Sequence, residues 1–240
     1  MKLSKRLKKI DEMVTGDYDH IWDCCCDHGF LGATLLERQA ADNIHFVDIV
    51  PKLIQNVTIQ LQQFYPNPKS TWYTHCLDIT NLPLDHYDGK HLIIIAGVGG
   101  DLITTFMNAL HKKYTLLNID FLICPVYQQY TVRKELKTLD LLLLDEALIE
   151  ENQRFYEVIL LSNQTPANGS GSATGINTQL KQVSLVGDKI WHAYTKQQQT
   201  IAQQYLHKTI QHYQRMLLNQ PDIIQPIIDL YNDVKIKILF

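Results

Sequence analysis

Five short apolar runs, each divided from the next by a helix-length stretch, fill the first half of this 240-residue chain and leave it few possible folds. They span residues 20–26, 43–47, 71–76, 91–96 and 121–124. The fourth, HLIIIA, is nearly continuous in apolar side chains, as a strand covered on both faces requires. Between the runs, residues 31–38, 51–64, 102–110 and 132–138 read as helices, the second opened by Pro51 at its first turn. Strands that alternate with helices over short connections predict a parallel, doubly wound sheet. Residues 141–151 and 154–162 read as a closing pair of strands. The predicted fold is therefore α/β: a Rossmann-like, mostly parallel sheet, extended by a small helical C-terminal domain.

Three segments follow. Residues 1–162 form the Rossmann-like domain, opened by a basic amphipathic helix over 3–14 with Leu3, Leu7, Ile10 and Val14 at helical spacing. Residues 163–187 read as a loop and linker, Gly/Ser/Asn/Thr-rich at the start. Residues 188–240 read as helical, with one long helix over 189–218 and the remainder packed back on it. Composition is that of a globular protein, 45% hydrophobic and 20% charged. No run approaches the roughly 18 apolar residues of a membrane span, and the N-terminus lacks a secretory apolar run. Cysteines at 24, 25, 26, 76 and 124 show no zinc spacing, which predicts reduced thiols, no metal and a cytoplasmic setting. Net charge is −3, yet residues 2–9 and 189–218 carry basic side chains and no acid. Such segments suit a polyanion, or are simply solvated helix faces.

In open α/β sheets, ligands bind beyond the carboxyl ends of the strands. The first run delivers Asp23 and a turn at Asp27-His28-Gly29, the second Asp48, the third Asp78, and the fourth Gly97, Gly99 and Gly100. Small turn residues admit a ligand, an acid after strand two accepts ribose hydroxyls, and an acid after strand three accepts the adenine amine. An acid at a strand end can also be only a helix cap. No G-x-x-x-x-G-K-[ST] and no G-x-G-x-x-G is present, so phosphate-bearing nucleotides lose ground. S-adenosyl-L-methionine has no phosphate, and its positive sulfonium suits nearby carboxylates. The predicted donor pocket comprises Asp23, Cys25, Gly29, Asp48, Ile49, Asp78, Ile79, Ala96, Gly97 and Gly99.

The chain resembles the bacterial tRNA (adenine-22-N1)-methyltransferase family. LSKRL at 3–7 is similar to that family's opening helix, and 23–31 to its D-x-G-S-D-H-A-Y-L stretch. IAGVGGDLI at 95–103 matches its I-A-G-M-G-G-x-L-I turn. VRKEL at 132–136, the stretch from Glu146 to RFYEV at 154–158, and YLHKTIQHYQRML at 205–217 extend the likeness over nearly the whole chain. Three places differ: Cys25-Cys26 stands for Gly-Ser, Cys124-Pro125-Val126 for Q-P-N, and the 163–179 loop reads as an insertion.

The resemblance implies a class I methyltransferase that carries a methyl group to N1 of adenine 22 in tRNA. Adenine N1 can attack the methyl directly and becomes positive, so a carboxylate beside it helps. Asp27 is the expected catalytic acid group, with His28 as proton acceptor or orienting group; both could instead serve the turn alone. Lys5, Arg6, Gly100, Pro125, Tyr127, Arg133, Arg154 and Tyr156 are the expected RNA contacts, with Tyr127 and Tyr130 able to stack on a base or to pack internally. The chain is expected as a monomer or weak dimer. A different methyl acceptor, or RNA binding with weakened catalysis, are the alternatives.

Overall fold

The computed structural model describes residues 3–164 and 181–240. Five parallel strands form its centre: β1 (Tyr18–Cys24), β2 (Ala41–Asp48), β3 (Thr71–Cys76), β4 (Lys90–Ala96) and β5 (Asn118–Cys124). The chain winds outward through β1, β2 and β3, then returns to place β4 against the free side of β1, giving the order β3-β2-β1-β4-β5-β7-β6-β8. β7 (Arg154–Ser162) runs antiparallel to both β5 and β6 (Leu142–Glu151), and β8 (Lys181–Gln182) closes the edge on β6. Cys24 lies level with Val47 and Ile95, Asp48 with Cys76, and Ala96 with Cys124. The strand ends therefore emerge nearly flush at the switch point between β1 and β4.

Helices α2 (Phe30–Glu37), α3 (Pro51–Phe64), α4 (Gly100–Lys113) and α5 (Gln129–Thr138) connect the strands. The two faces of the sheet bury separate cores, one around Ile21, Phe46 and Leu122, the other around Trp22, Ile93 and Phe121. The N-terminal helix α1 (Lys5–Met13) is capped by Ser4, whose Oγ accepts the Leu7 N–H at 3.3 Å, and it buries Ile10 and Met13. Among the described residues no helix is long and apolar enough to cross a membrane.

The C-terminal region departs from the single long helix expected over 189–218. Residues Lys189–Trp191 form a short 3-10 turn, and β9 (His192–Ala193) pairs in parallel with β10 (Lys237–Ile238) near the end of the chain. Helix α6 (Lys196–Met216) starts only after Thr195, whose Oγ accepts the Gln198 N–H at 3.1 Å. Ile190 and Trp191 are buried under α6 and α7 (Pro221–Asn232), so they serve the core from a turn rather than a helix face. Residues 165–180 of the expected loop lie outside the described residues, and its later part supplies β8.

A buried ionic hub joins the two regions. Arg133 of α5 is completely buried; its Nε donates to Glu157 Oε2 of β7 at 2.6 Å and its Nη2 to Glu146 Oε2 of β6 at 2.6 Å. Its Nη1 donates to the Ser184 carbonyl at 3.1 Å. Tyr205 of α6 donates to Glu157 Oε1 at 2.5 Å, and the Asp188 and Lys189 amides donate to Glu146 Oε1. Burial opposes the guanidinium charge, but the two carboxylates outweigh it and hold Arg133 protonated. Arg133 is thus unavailable to RNA, contrary to the sequence expectation. Replacing one partner strands buried charge, at a cost of about 3–5 kcal/mol. Arg133→Met should lower the unfolding free energy by about that amount in urea titrations; an unchanged midpoint would show the hub to be dispensable.

On the face that carries Trp22, four histidines form a second polar cluster that the sequence reading did not single out. His20 Nε2 faces the Asp88 carbonyl at 3.2 Å and must donate to it, which leaves Nδ1 to accept from His45 Nε2 at 3.0 Å. His45 Nδ1 in turn accepts from His75 Nε2 at 2.9 Å. His91 accepts from Trp22 Nε1 at 3.2 Å and donates to the Tyr87 carbonyl at 3.1 Å. All four of these rings are neutral. Burial first, then the neighbouring imidazoles, pushes His45 down to about 2, and burial with His20 pushes His91 down to about 4. Both lie below the ordinary value of 6.5, so the unfolded chain takes up protons that the folded chain refuses. Stability contributed here is complete above that ordinary value and falls as pH drops towards 4. The slope reaches about 1.4 kcal/mol per pH unit for each such histidine. Denaturant titrations at neutral and mildly acidic pH should show that loss, and His91→Gln should flatten it; parallel curves would refute the assignment.

Candidate active site

The turn after β1 alternates backbone handedness, with φ of 58° at Cys25, 50° at Asp27 and 70° at Gly29. This coil presses its amides on the end of β2. Cys26 N–H donates to the Val47 carbonyl at 3.1 Å, and Asp27 N–H to Asp48 Oδ2 at 3.2 Å. Asp48 Oδ1 accepts the Val50 N–H at 3.0 Å, so this one carboxylate ties two adjacent strand ends together. Asp23, at the end of β1, accepts the Gly32 N–H of α2 at 2.8 Å. A Cβ on Gly32 would stand 2.4 Å from the Phe46 ring, so only glycine lets α2 sit this close to the sheet. Gly97 has φ of 85° with no atom within 4 Å of a notional Cβ, which leaves open space at the end of β4.

These elements enclose a cavity of about 410 Å³. Its wall brings together Asp23, Cys25, Asp27, His28, Asp48, Ala96 and Gly97 of the expected residues, and Arg6 from α1. Leu7, Cys24 and Cys26 also line it, and Phe30, Leu31 and Leu53 complete it with no sequence signal beyond ordinary helix apolarity. Other expected residues stand apart. Gly29 caps α2 and faces a wider groove between α2 and α3. Ile49 is 64% exposed outside the cavity, and Ile79 is buried in the core. Asp78 acts on Cys25 by its charge, but its Oδ1 caps a 3-10 turn by accepting from Thr80 N and Oγ1. Gly99 caps α4 beneath Tyr127, whose hydroxyl would lie 2.3 Å from a Cβ there, and Gly100 abuts Val132 and Gln128.

The expected RNA contacts divide likewise. The Arg6 guanidinium lies 4.9 Å from the centre of the Tyr156 ring, itself buried in β7, and its Nε has no hydrogen-bond partner among the described residues. Lys5 sits against Glu150 at 3.8 Å, so the acid-free stretch 2–9 has a carboxylate beside it in space. Pro125 is buried, whereas Tyr127 and Arg154 line a separate groove under α6.

Carboxylates outnumber the single arginine, Arg6, in the cavity wall. Burial, reinforced by Asp48 and opposed by the Gly32 hydrogen bond, raises the Asp23 carboxyl to about 7. Burial and the surrounding aspartates push the Cys25 thiol up to about 12 and raise Cys24 and Cys26 as well. The three thiols are therefore neutral packing groups rather than nucleophiles. Asp27 Oδ1 and His28 Nε2 lie 3.6 Å apart at the rim, both largely exposed. Among the described residues no His, Cys, Asp and Glu group is arranged to hold a metal ion.

A model of the methyltransferase domain matches residues 3–159. The chain belongs to that family. No curated protein sequence matches it. Among solved structures, an uncharacterized protein from Listeria monocytogenes superposes with a TM-score of 0.74 at 20% identity, covering 97% of this chain and 99% of its own. The TrmK protein of M. capricolum, solved with S-adenosyl-homocysteine, gives 0.71 at 18% identity over 97% of each chain. The M1A22 tRNA methyltransferase TrmK of B. subtilis gives 0.62 at 18%, covering 97% and 95%. The methyltransferase fold thus extends through the helical C-terminal region. Cys25 keeps a left-handed backbone where the family pattern has glycine, at a cost of about 1–2 kcal/mol. Cys25→Gly should stay within about 1 kcal/mol of the parent, whereas β-branched Cys25→Val should lose more than about 2 kcal/mol in thermal unfolding. Equal losses would place the effect in packing rather than in φ.

Proposed function

We propose that this methyltransferase takes its methyl group from S-adenosyl-L-methionine and delivers it to N1 of an adenine in tRNA, position 22 by resemblance. The observation that carries the reading is Asp23, a buried carboxylate that forms no ion pair among the described residues and lines a cavity left open at Gly97. A buried anion without a cation is costly, and a cationic ligand repays that cost. The residues fit the donor: Asp48 and Asp78 keep acceptor capacity for hydroxyl and amine donors, and Gly97 leaves room where a side chain would intrude. When bound, the donor supplies an electrophilic methyl carbon on sulfur. Support for the acceptor comes from the solved M1A22 tRNA methyltransferase with the same architecture over nearly the whole chain.

The chain's own groups then have definite tasks. Asp23 faces the donor's positive charge and fixes its orientation. Asp48, by holding the Asp27 amide, sets where the Asp27 carboxylate stands at the rim. That carboxylate stabilises the positive charge that develops on the base, and His28 beside it accepts or orients a proton. Val126 carries no polar group, so the base is oriented from the Asp27 side and by the exposed Tyr127 ring.

Two measurements test this. In calorimetry near neutral pH, donor binding should release protons from Asp23, seen as a heat that varies with buffer ionisation enthalpy and vanishes in Asp23→Asn. Incubation with labelled donor and unmodified tRNA should label adenine N1. Asp27→Asn, which tolerates the left-handed backbone, should lower turnover by about 100-fold while leaving donor affinity nearly unchanged. Absence of donor binding would end the methyl-transfer reading, and label on another base or acceptor would end the tRNA adenine reading.

A further inference from the structure

Beyond Tyr127 lies a groove of about 600 Å³ that the donor cavity does not use. One wall is the stretch from Val126 to Thr131, the other is a face of α6, and Arg154 and Phe155 of β7 form the floor. Its aromatic surface comes from Tyr127, Tyr130, Phe155 and Tyr213, with buried Tyr205 and Tyr231 behind them and the Tyr130 and Tyr213 rings edge-on at 6.3 Å. Its charged lining side chains are Arg154 and Lys208, and no Asp or Glu lines it. Glu157 lies beneath, but it is fully buried and engaged by Arg133 and Tyr205. Lys208 Nζ sits 5.0 Å above the Phe155 ring and 3.3 Å from the Gln153 carbonyl, held at the edge of the groove. The helix that forms this wall has no acidic residue from Lys196 to Met216.

The groove adjoins the donor cavity through one turn. Val126 N–H donates to the Val98 carbonyl at 3.0 Å, and Tyr127 lies on Gly99, two residues from the Gly97 that lines the cavity. A chain that places one base at the cavity mouth therefore has its next residue within reach of the groove. Aromatic faces with flanking cations and no carboxylate match an unpaired nucleotide, which stacks its base and pairs its phosphate.

We propose that the groove between α5 and α6 binds an unpaired nucleotide adjacent to the methylated one, its base on the Tyr130–Tyr213 face and its phosphate at Lys208 and Arg154. This rests on the tRNA reading above and specifies how the C-terminal helices take part in it. Only a locally opened strand satisfies both sites, so a base-paired neighbour is a poor substrate.

The test uses the full chain with tRNA carrying 5-iodouridine, irradiated in the presence of S-adenosyl-L-methionine. Crosslinked peptides are expected within 126–131 and 205–213. Lys208→Glu and Tyr130→Leu should each raise the KM for tRNA about tenfold, with donor affinity unchanged and kcat little altered. Lys208→Arg and Tyr130→Phe should restore KM, a rescue that general misfolding would not permit. If the parent methylates tRNA while both disruptive variants keep its KM, or while every crosslink falls outside these stretches, the groove proposal is overturned and the methyl-transfer reading stands. If the parent neither binds nor methylates tRNA, both fail together.

Discussion

The Arg133 guanidinium, with Glu146 and Glu157 on either side, is the interaction on which the relation between the two regions depends. It joins α5, β6 and β7, and through Tyr205 and the 184–189 backbone it reaches the C-terminal helices. A buried charge triad is stable only when its polar atoms are paired, and here each nitrogen and oxygen of the three side chains has a partner. Hydrophobic packing of Trp191, Ile224 and Tyr231 supplies area around the hub but little directionality. The hub supplies the direction, fixing α6 at the height where its aromatic face meets the turn that carries Tyr127.

The cavity beyond β1 and β4 follows from topology. Because the chain returns from β3 to the other side of β1, the loops after β1 and β4 diverge and leave space between them. Carboxylates gather there because each has a second occupation: Asp48 holds the Asp27 and Val50 amides, and Asp23 ties α2 to the sheet, while Asp78 caps a turn nearby. Their structural bonds leave lone pairs to spare, so capping and ligand binding are not competing explanations for these residues. The thiols of Cys24, Cys25 and Cys26 fill the space beneath and carry no charge.

Much of this was legible in the residues, and the misses share one cause. The apolar runs and their aspartates located strands and strand ends because burial on both faces leaves a dense local signal. Arg133 looked like a surface arginine, since its two carboxylate partners lie 13 and 24 residues away and only strand pairing brings them near. The four neutral histidines came from four different strands and had no spacing to read. Ile190 fitted a helical period yet sits in a turn, because burial under α7 and the Thr195 cap outweighed local periodicity.

By itself the sequence determined the α/β class, the order of strands and helices, and the acids and glycines at the strand ends. Those are local properties, set by period, turn residues and the limits on φ. Tertiary structure alone decided that Arg133 is ionic glue and that Arg6 lines the cavity. It also decided that Asp23 is buried without an ion-pair partner among the described residues and that the acid-free α6 leans over the turn beside the cavity. Each of these depends on the dielectric and the neighbours that long-range packing creates.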